Sequence, residues 1–328
     1  MSGSVLSARK LPLPGLSALN STVGRASLAV VVLLCIGGVA APSSLSSTAL
    51  LSMLPFAAML AIAAIGQHIV VQQRGLDLSV AGVISLSAVL VTLLPGVEAG
   101  AWSVALYVLL LIAVGMVAGI VNGLFVTIVR LPPLVTTIGV NAVLIGIALV
   151  ASGGVPSKAP TVLSSAIIGK TLGIPNTLYV AALIACASIG FMNVSVWGRK
   201  FVAVAANATA AHALGMPVTL YRIGTYAAAG ALYAIAGVLL AGFLSTPGLF
   251  LGNDYILWTV AAVVVGTNSI GGGGQGSVMA TVIGAFFLTY LSQLVLGLGF
   301  DRSLQQIIQA VIIIGGVALT GLLNPNRA

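Results

Sequence analysis

Apolar residues run along this chain in blocks of roughly 20, separated by short stretches rich in Gly, Pro, Ser and charge. A helix of that length spans the ~30 Å of hydrocarbon in a bilayer. Ten blocks stand out, at 27–41, 48–66, 78–94, 101–128, 134–151, 177–192, 223–244, 255–267, 277–298 and 305–323. The first and eighth are short, and the fourth is long enough to tilt or to hold an interfacial turn. A closed membrane barrel would instead read as alternating segments of about 10 residues, and none occurs. The pattern predicts an all-α, polytopic membrane protein with about ten transmembrane helices. Its parts are an N-terminal segment 1–26, a membrane domain 27–323 and a tail 324–328.

Composition agrees. Of 328 residues, 59% are hydrophobic and 5% charged, against about 25% charged in a soluble domain whose surface faces water. Charge also orients the spans. Ten crossings put Arg9, Lys10, Arg25, Arg74, Arg130, Arg199, Lys200, Arg222 and Arg327 on one side. Lys158, Lys170, Arg302, Glu98, Asp254 and Asp301 fall on the other. Basic residues concentrate in cytoplasmic loops, so both termini are expected in the cytoplasm. The net charge of +8 is then a property of those loops, and no nucleic-acid partner is expected. Arg9 and Lys10 before an apolar run also fit a signal peptide. With so many later spans, an uncleaved first helix is the expectation. Cys35 and Cys186 fall inside apolar spans and are expected to be packing residues.

Two polar connections remain. The segment 152–176 is rich in Gly, Pro and Ser and lies outside the cell in this topology. The segment 193–222 is the longest inner connection. Its alanine-rich stretch from Lys200 to Leu214 predicts one short helix, with Gly215 and Pro217 as stop signals. Such a helix is either a contact for a cytoplasmic partner or an interfacial connector without one. Asn207 stands in a glycosylation sequon, but on the cytoplasmic side. No phosphate-cradling G-x-x-x-x-G-K-[ST] occurs, and GGGGQG at 271–276 reads as a flexible loop. No span carries an ionisable residue at its middle, which argues against a proton relay, although backbone-coordinated sodium stays open. His68 and His212 lie at span edges and are expected to be interfacial side chains. GMVAG at 115–119 gives the small-x-x-x-small spacing of close helix packing. No catalytic residue, metal site or bound cofactor is expected. The residues alone point to a transport pathway whose energy comes from elsewhere.

Four stretches then resemble the permease subunits of bacterial ATP-binding-cassette importers of the ribose type, within the wider group that includes branched-chain amino acid permeases. GLDLSVAG at 75–82 is similar to G-[IL]-D-L-S-V-G, and VNGLFVTIVRLPPLVTTIG at 121–139 to N-G-x₅₋₇-[RK]-[IL]-P followed by F-I-V-T-L-G. GRKFVAVAANATAAHALGM at 198–216 resembles G-R-x₃-A-x-G-x-N-x₂-A-A-x₃-G-I, and AAVVVGTNSIGGGGQGS at 261–277 resembles A-A-V-V-I-G-G-T-S-x₂-G-G-x-G-S. Together they are specific. Departures fall at Ala81, Ala205 and Thr267, where that family has glycine, at Ile145 in place of an arginine, and at Ile256 and Trp258 in place of an acidic pair. They leave the particular sugar open.

The resemblance implies a multi-pass protein of the bacterial inner membrane that dimerises with itself or with a sister permease. It implies cytoplasmic ATP-binding subunits that use the ATP, and an extracytoplasmic solute-binding protein. The loop 193–222 would couple to the ATPases through Gly198, Arg199, Ala203, Asn207, Ala210, Ala211 and Gly215. There Arg199 would pair with acidic partner groups and Asn207 would cap or fix the helix. Arg74, Gly75, Asp77 and Ser79 form a cytoplasmic corner. Asp77 is expected to cap the third span, within reach of water and of backbone N–H groups favoured by the helix dipole. Ser85, Ser87, Thr136, Thr137 and Asn141 are candidates for the solute pathway, each with helix packing as the alternative role. The solute implied is a monosaccharide, moved by alternating access. The alternatives are a permease for branched-chain amino acids or nucleosides, or a stand-alone secondary carrier.

Overall fold

A computed structural model describes residues 21–266 and 276–301, with 303–308, 310–311 and 314–315. Its helices follow the apolar blocks. Helix α1 (Thr22–Ala40) starts at Ser21, whose side chain accepts from Gly24 N at 2.9 Å. A 3₁₀ turn, Pro42–Leu45, leads to α2 (Ser47–Gln72), capped by Ser46. Then come α3 (Val80–Leu93), α4 (Ala101–Thr127), α5 (Pro133–Ser152) and the short α6 (Thr161–Ile168). A two-residue antiparallel hairpin, β1 (Lys170–Thr171) and β2 (Ile174–Pro175), precedes α7 (Asn176–Val194). The chain continues through α8 (Val196–Ala206), α9 (Ala208–Ala213), α10 (Val218–Leu244), α11 (Tyr255–Val265) and α12 (Val278–Gly297).

Among the described residues, seven helices are long and apolar enough to cross a membrane: α1, α2, α4, α5, α7, α10 and α12. Helices α3 and α11 are apolar but shorter. At about 1.5 Å per residue, the 14 residues of α3 fall short of the hydrocarbon thickness. A helix that stops inside the bilayer needs protein around its ends. Accordingly α3 sits in the middle of the bundle, packed by α4, α5, α10 and α11, and only Leu90 and Leu93 reach the surface in part.

Helices α2, α3 and α10 form the core, with α11 and α12 against α2 on one side and α4 and α5 against α3 and α10 on the other. Helices α1 and α7 are peripheral, on α12 and α2 respectively. Apolar side chains such as Leu28, Val31, Leu109, Val117, Val143 and Leu183 stand exposed on the outer helices, as lipid contact requires. The closest packing joins α4 to α10. Gly115, Gly119 and Gly123 recur every fourth residue on α4 and lie flush against Gly230, Tyr226 and Ile223. A side chain at Gly119 would strike the Tyr226 carbonyl, so this is the small-residue contact that GMVAG predicts.

Several expectations need correction. Helix α2 runs to Gln72 rather than 66, and α10 begins at Val218 rather than 223. His68 is therefore inside α2, fully buried, with Nδ1 3.0 Å from the Thr281 hydroxyl of α12, and is not interfacial. Cys35 and Cys186 are exposed rather than packed, because α1 and α7 turn those faces outward. The segment 152–176 contains α6 and the hairpin, and Ala159 N ties it to Ser245 O at 2.8 Å. Residues 1–20, Thr267, the Gly-rich stretch 271–275, most of 305–323 and the tail 324–328 lie outside the described residues.

Candidate functional site

At one end of the bundle the α7–α10 connection folds into an arm. Ser195 ends α7 and starts α8: its hydroxyl donates to Phe191 O at 2.6 Å and accepts from Gly198 N at 2.8 Å. Gly198 is pressed on the backbone of Phe191 and Met192, which leaves no space for a Cβ. The Arg199 guanidinium donates to Val194 O at 2.8 Å, at the carbonyl end of α7 where a cation is favoured. Phe201, Val204 and Ala205 are buried, whereas Trp197, Arg199 and Lys200 face outward.

The single helix expected over Lys200–Leu214 is in fact two. Asn207 adopts extended backbone and breaks the run, and its Oδ1 accepts from Ala210 N at 3.0 Å to start α9. Ala203 is half-buried, Ala210 is exposed and Ala211 is buried. Gly215, at φ +75°, takes the left-handed turn that releases the chain toward α10.

The arm is fastened to the end of α2. Gln73 Nε2 donates to Phe201 O at 3.0 Å, and Arg74 Nη2 reaches Ala206 O at 3.5 Å. Arg74 holds φ +61°, a left-handed conformation normally left to glycine. Gly75 N closes the turn on Val70 O at 3.0 Å, and a side chain at Gly75 would strike the Tyr226 hydroxyl.

From Gly75 the chain turns inward. Asp77 is 1% exposed, so water does not reach it as the sequence suggested. It does not cap α3 either: the cap residue is Ser79, and Asp77 Oδ1 accepts from Ser79 N at 2.9 Å and from the Ser79 hydroxyl at 2.6 Å. That hydroxyl in turn accepts from Asn122 Nδ2 of α4 at 2.7 Å. With its amide oriented to suit its neighbours, Gln67 donates to Asp77 O at 2.9 Å and to the Tyr233 hydroxyl at 3.0 Å, and accepts from Asp77 N at 3.3 Å. One carboxylate oxygen, Oδ2, stays buried without a partner, as do Asn122 Oδ1 and the Tyr226 hydroxyl. Burial pushes the Asp77 carboxyl up to about 6, against the two hydrogen bonds from Ser79 that pull it down.

Of the pathway candidates, Ser85 and Ser87 lie on α3 and Thr136, Thr137 and Asn141 on α5, and two of the latter serve the start of α3. Its leading N–H groups have no partner within the helix; Thr137 Oγ1 of α5 accepts from Leu78 N at 3.1 Å, and Asn141 Oδ1 accepts from Gly82 N at 2.6 Å. Ser85 accepts from Gly252 N at 2.9 Å, and Ser87 and Thr136 are buried. None of the five lines either of two cavities in the bundle. One, of about 750 Å³, is apolar and lies between α2, α7, α8 and α10 beside Trp197 and Phe201. The other, of about 950 Å³, opens at the opposite end of the bundle. Sequence reading missed Gln67, Asn122, Tyr226 and Tyr233. The available signal was a run of amides, Gln67, Gln72 and Gln73, beside the only aspartate in that half of the chain.

The profile of the family described as branched-chain amino acid transport system / permease component matches residues 49–317. The ribose import permease of Escherichia coli is 28% identical over 292 residues, covering 88% of this chain and 90% of that protein. The autoinducer 2 import system permease of Yersinia pseudotuberculosis is 28% identical over 306 residues, 93% of this chain and 86% of that protein. The ribose import permease of Haemophilus influenzae is 28% identical over 308 residues, 92% of this chain and 94% of that protein. No solved structure matches.

Proposed function

Because the chain belongs to the family of permease components of branched-chain amino acid transport systems, we propose that it is the membrane subunit of an importer for a monosaccharide, powered by separate ATP-binding subunits. As an importer permease of this family it is a multi-pass protein of the bacterial inner membrane, and a transport subunit rather than an enzyme. The observation that carries the reading is the extent of the match, which covers residues 49–317, from α2 past α12. A sugar is preferred as solute because the relatives named above import ribose or autoinducer 2. Branched-chain amino acids, named in the family description, are the second reading.

In this proposal the arm of α8 and α9 faces the cytoplasm, and the ten crossings leave both termini there. Arg25, Arg74, Arg130, Arg199, Lys200 and Arg222 all lie at the arm's end of the bundle, which supports that orientation. ATP binds to the partner subunits and none to this chain. Their movement pushes the arm, with Gly198, Arg199, Ala203, Asn207, Ala210, Ala211 and Gly215 as the contact region. The end of α2, at Gln73 and Arg74, carries that movement to the corner at Gly75, Asp77 and Ser79. A second permease, identical or a sister, completes the pathway, and a solute-binding protein delivers the sugar from outside. Ser85, Ser87, Thr136, Thr137 and Asn141 lie along that pathway, where Thr137, Asn141 and Ser85 also hold α3 in register through Leu78 N, Gly82 N and Gly252 N.

A photo-crosslinker placed at Arg199 or Asn207 in native membranes tests this. Capture of a nucleotide-hydrolysing subunit is expected. Repeated failure to capture one, with solute uptake intact, would favour a stand-alone carrier and end the proposal.

A further inference from the structure

The apolar cavity of about 750 Å³ is a trough on the arm's side of the bundle, where α7 and α10 both pack on α2. Ile65 and Ile69 of α2 are buried and form its floor. Phe191 and Met192 of α7 make one wall. The other wall is α10, where Gly224 and Ala228 are too small to fill the space, and a Cβ at Gly224 would meet nothing within 4 Å. Phe191, Gly224 and Ala228 are exposed, so the trough opens to the surroundings of the bundle. Along α10 the lining runs from Tyr221 to Leu232, near the middle of that helix, a length of roughly 16 Å at 1.5 Å per residue. That is close to half the ~30 Å of hydrocarbon in a bilayer, the depth of one leaflet. The arm closes the end through Trp197 and Phe201 of α8, and the Trp197 and Tyr221 ring centroids lie 6.2 Å apart. Trp and Tyr side chains collect at the headgroup level of a membrane. Arg199 and Lys200, both exposed, stand within a turn of Trp197 on the same helix.

We propose that this trough is a lipid site: it holds one acyl chain of an anionic phospholipid from the leaflet on the arm's side, with the lipid phosphate on Lys200. An apolar concavity offers water no partners, and at hydrocarbon depth a lipid chain buries its lining. Charge selects the headgroup. The four acidic residues of the chain, Asp77, Glu98, Asp254 and Asp301, are all absent from the lining. Arg199 is engaged with Val194 O, which leaves Lys200 to meet the phosphate, and basic pockets between helices on the cytoplasmic side bind anionic headgroups in this way. The Tyr221 hydroxyl is buried without a partner in the chain, and supplies a donor for a phosphate or ester oxygen. The inference rests on the importer reading above only for naming this leaflet the cytoplasmic one. Phe201 both lines the trough and offers its carbonyl to Gln73. A seated acyl chain therefore packs on the residue that fastens the arm to α2, and lipid composition regulates how firmly the arm is held.

Bromine atoms on an acyl chain quench tryptophan fluorescence on contact, and the chain has three tryptophans. One form of the full chain keeps only Trp197, at the mouth of the trough (Trp102→Phe, Trp258→Phe). A second keeps only Trp102, at the start of α4 and the opposite end of the bundle (Trp197→Phe, Trp258→Phe). Both are placed in nanodiscs with rising fractions of dibrominated phosphatidylglycerol or dibrominated phosphatidylcholine. Trp197 is expected to reach half-quenching at about fivefold less phosphatidylglycerol than phosphatidylcholine, the effect of one basic residue at a membrane surface. Trp102 should show no preference. Lys200→Gln should bring the two lipids level, Lys200→Arg should keep the preference, and Ala228→Phe, which fills the trough, should lower quenching by both. Equal quenching of Trp197 by the two lipids, the same preference at Trp102, a preference that survives Lys200→Gln, or quenching indifferent to Ala228→Phe overturns the proposal. So does protection of Trp197 from both lipids, which would put a second copy of the chain in the trough. Crosslinked capture of an ATPase from Arg199 is read separately. Failed capture removes the importer reading and leaves a selective lipid site standing, whereas capture with unselective quenching removes only the lipid site.

Discussion

Asp77→Asn isolates the role of the buried carboxylate. The substitution keeps Oδ1, which accepts from Ser79 N and the Ser79 hydroxyl, and changes only the oxygen that has no partner. A carboxyl held at about 6 against 3.8 for a free one corresponds to about 3 kcal/mol of destabilisation when ionised, an upper value because local relaxation reduces it. The sign follows from the direction. The fold favours the protonated acid, so this contribution to stability is complete below 3.8, falls as pH rises through about 6, and is absent above it. Wild-type melting temperature should therefore decline between about pH 4 and about pH 6 and then level off. The Asn variant should lack that decline and exceed the wild type above pH 6 by roughly 1–3 kcal/mol. Scanning fluorimetry on the three native tryptophans, in detergent across that range, reads it directly. A variant that melts below the wild type at neutral pH would refute the reasoning, because it would mean that the ionised carboxylate is held by a partner such as the Tyr226 hydroxyl.

Other perturbations probe neighbouring contacts. Asp77→Ala strips Ser79 of its acceptor and should cost about 1–3 kcal/mol and lower solute uptake; uptake at the wild-type rate with normal expression would count against a role for this corner. Arg74→Gly should relieve a left-handed arginine and raise stability by about 1 kcal/mol, yet reduce solute moved per ATP hydrolysed, since the contact with Ala206 O is lost; an unchanged transport-to-hydrolysis ratio in proteoliposomes would show that the contact is idle. Asn141→Ala leaves Gly82 N unpaired and should cost about 1–3 kcal/mol, visible as a lower melting temperature and absent in Asn141→Asp if only the acceptor matters. Gly119→Leu drives a side chain into the Tyr226 backbone and should cost 3 kcal/mol or more, giving aggregated protein on size-exclusion chromatography where Gly119→Ala gives a smaller loss.

Apolar block length was enough to place the long helices, because a bilayer imposes one thickness on every span. It was not enough to say which spans are wrapped by protein, since α3 and an outer helix such as α5 read alike: both are continuously apolar with a few small polar residues. The difference lies in partners distant in sequence. Thr137 and Asn141 look like pathway hydroxyl and amide groups until the N–H groups of Leu78 and Gly82 are found opposite them. Asp77 looked like a solvated cap because four acidic residues in 328 invite the assumption that each faces water. Its burial depends on Gln67 folding back along α2 to serve both Asp77 N and Asp77 O, and no local pattern announces that.

The arrangement of the corner argues for a mechanical role over a binding one. Binding sites leave polar groups turned toward an opening, whereas here the polar groups of the α2–α3 junction are buried, and Gln67, Asp77, Ser79 and Asn122 bond to one another or to nearby backbone. Gln73 and Arg74 turn toward the arm, and both end on carbonyls of α8. The arm is continuous with α7 and α10 and packs on both, and Gln73 and Arg74 add a direct link from it to the end of α2, so a displacement of the arm also pulls on α2. Helix α2 packs against α7, α10, α11 and α12, and its first turns line the cavity at the far end through Ser52, Met53 and Phe56. Close packing transmits such a displacement along a rigid element rather than absorbing it. One helix of 26 residues thus joins the arm to the cavity wall. Replacing Ala61 and Ala63 by glycine in the middle of α2 keeps the register and should loosen that connection by about 2 kcal/mol of helix propensity, leaving ATPase capture intact while uptake falls. Equal loss of both would show that the substitutions merely unfold the bundle, and unchanged uptake would show that the movement travels by another route.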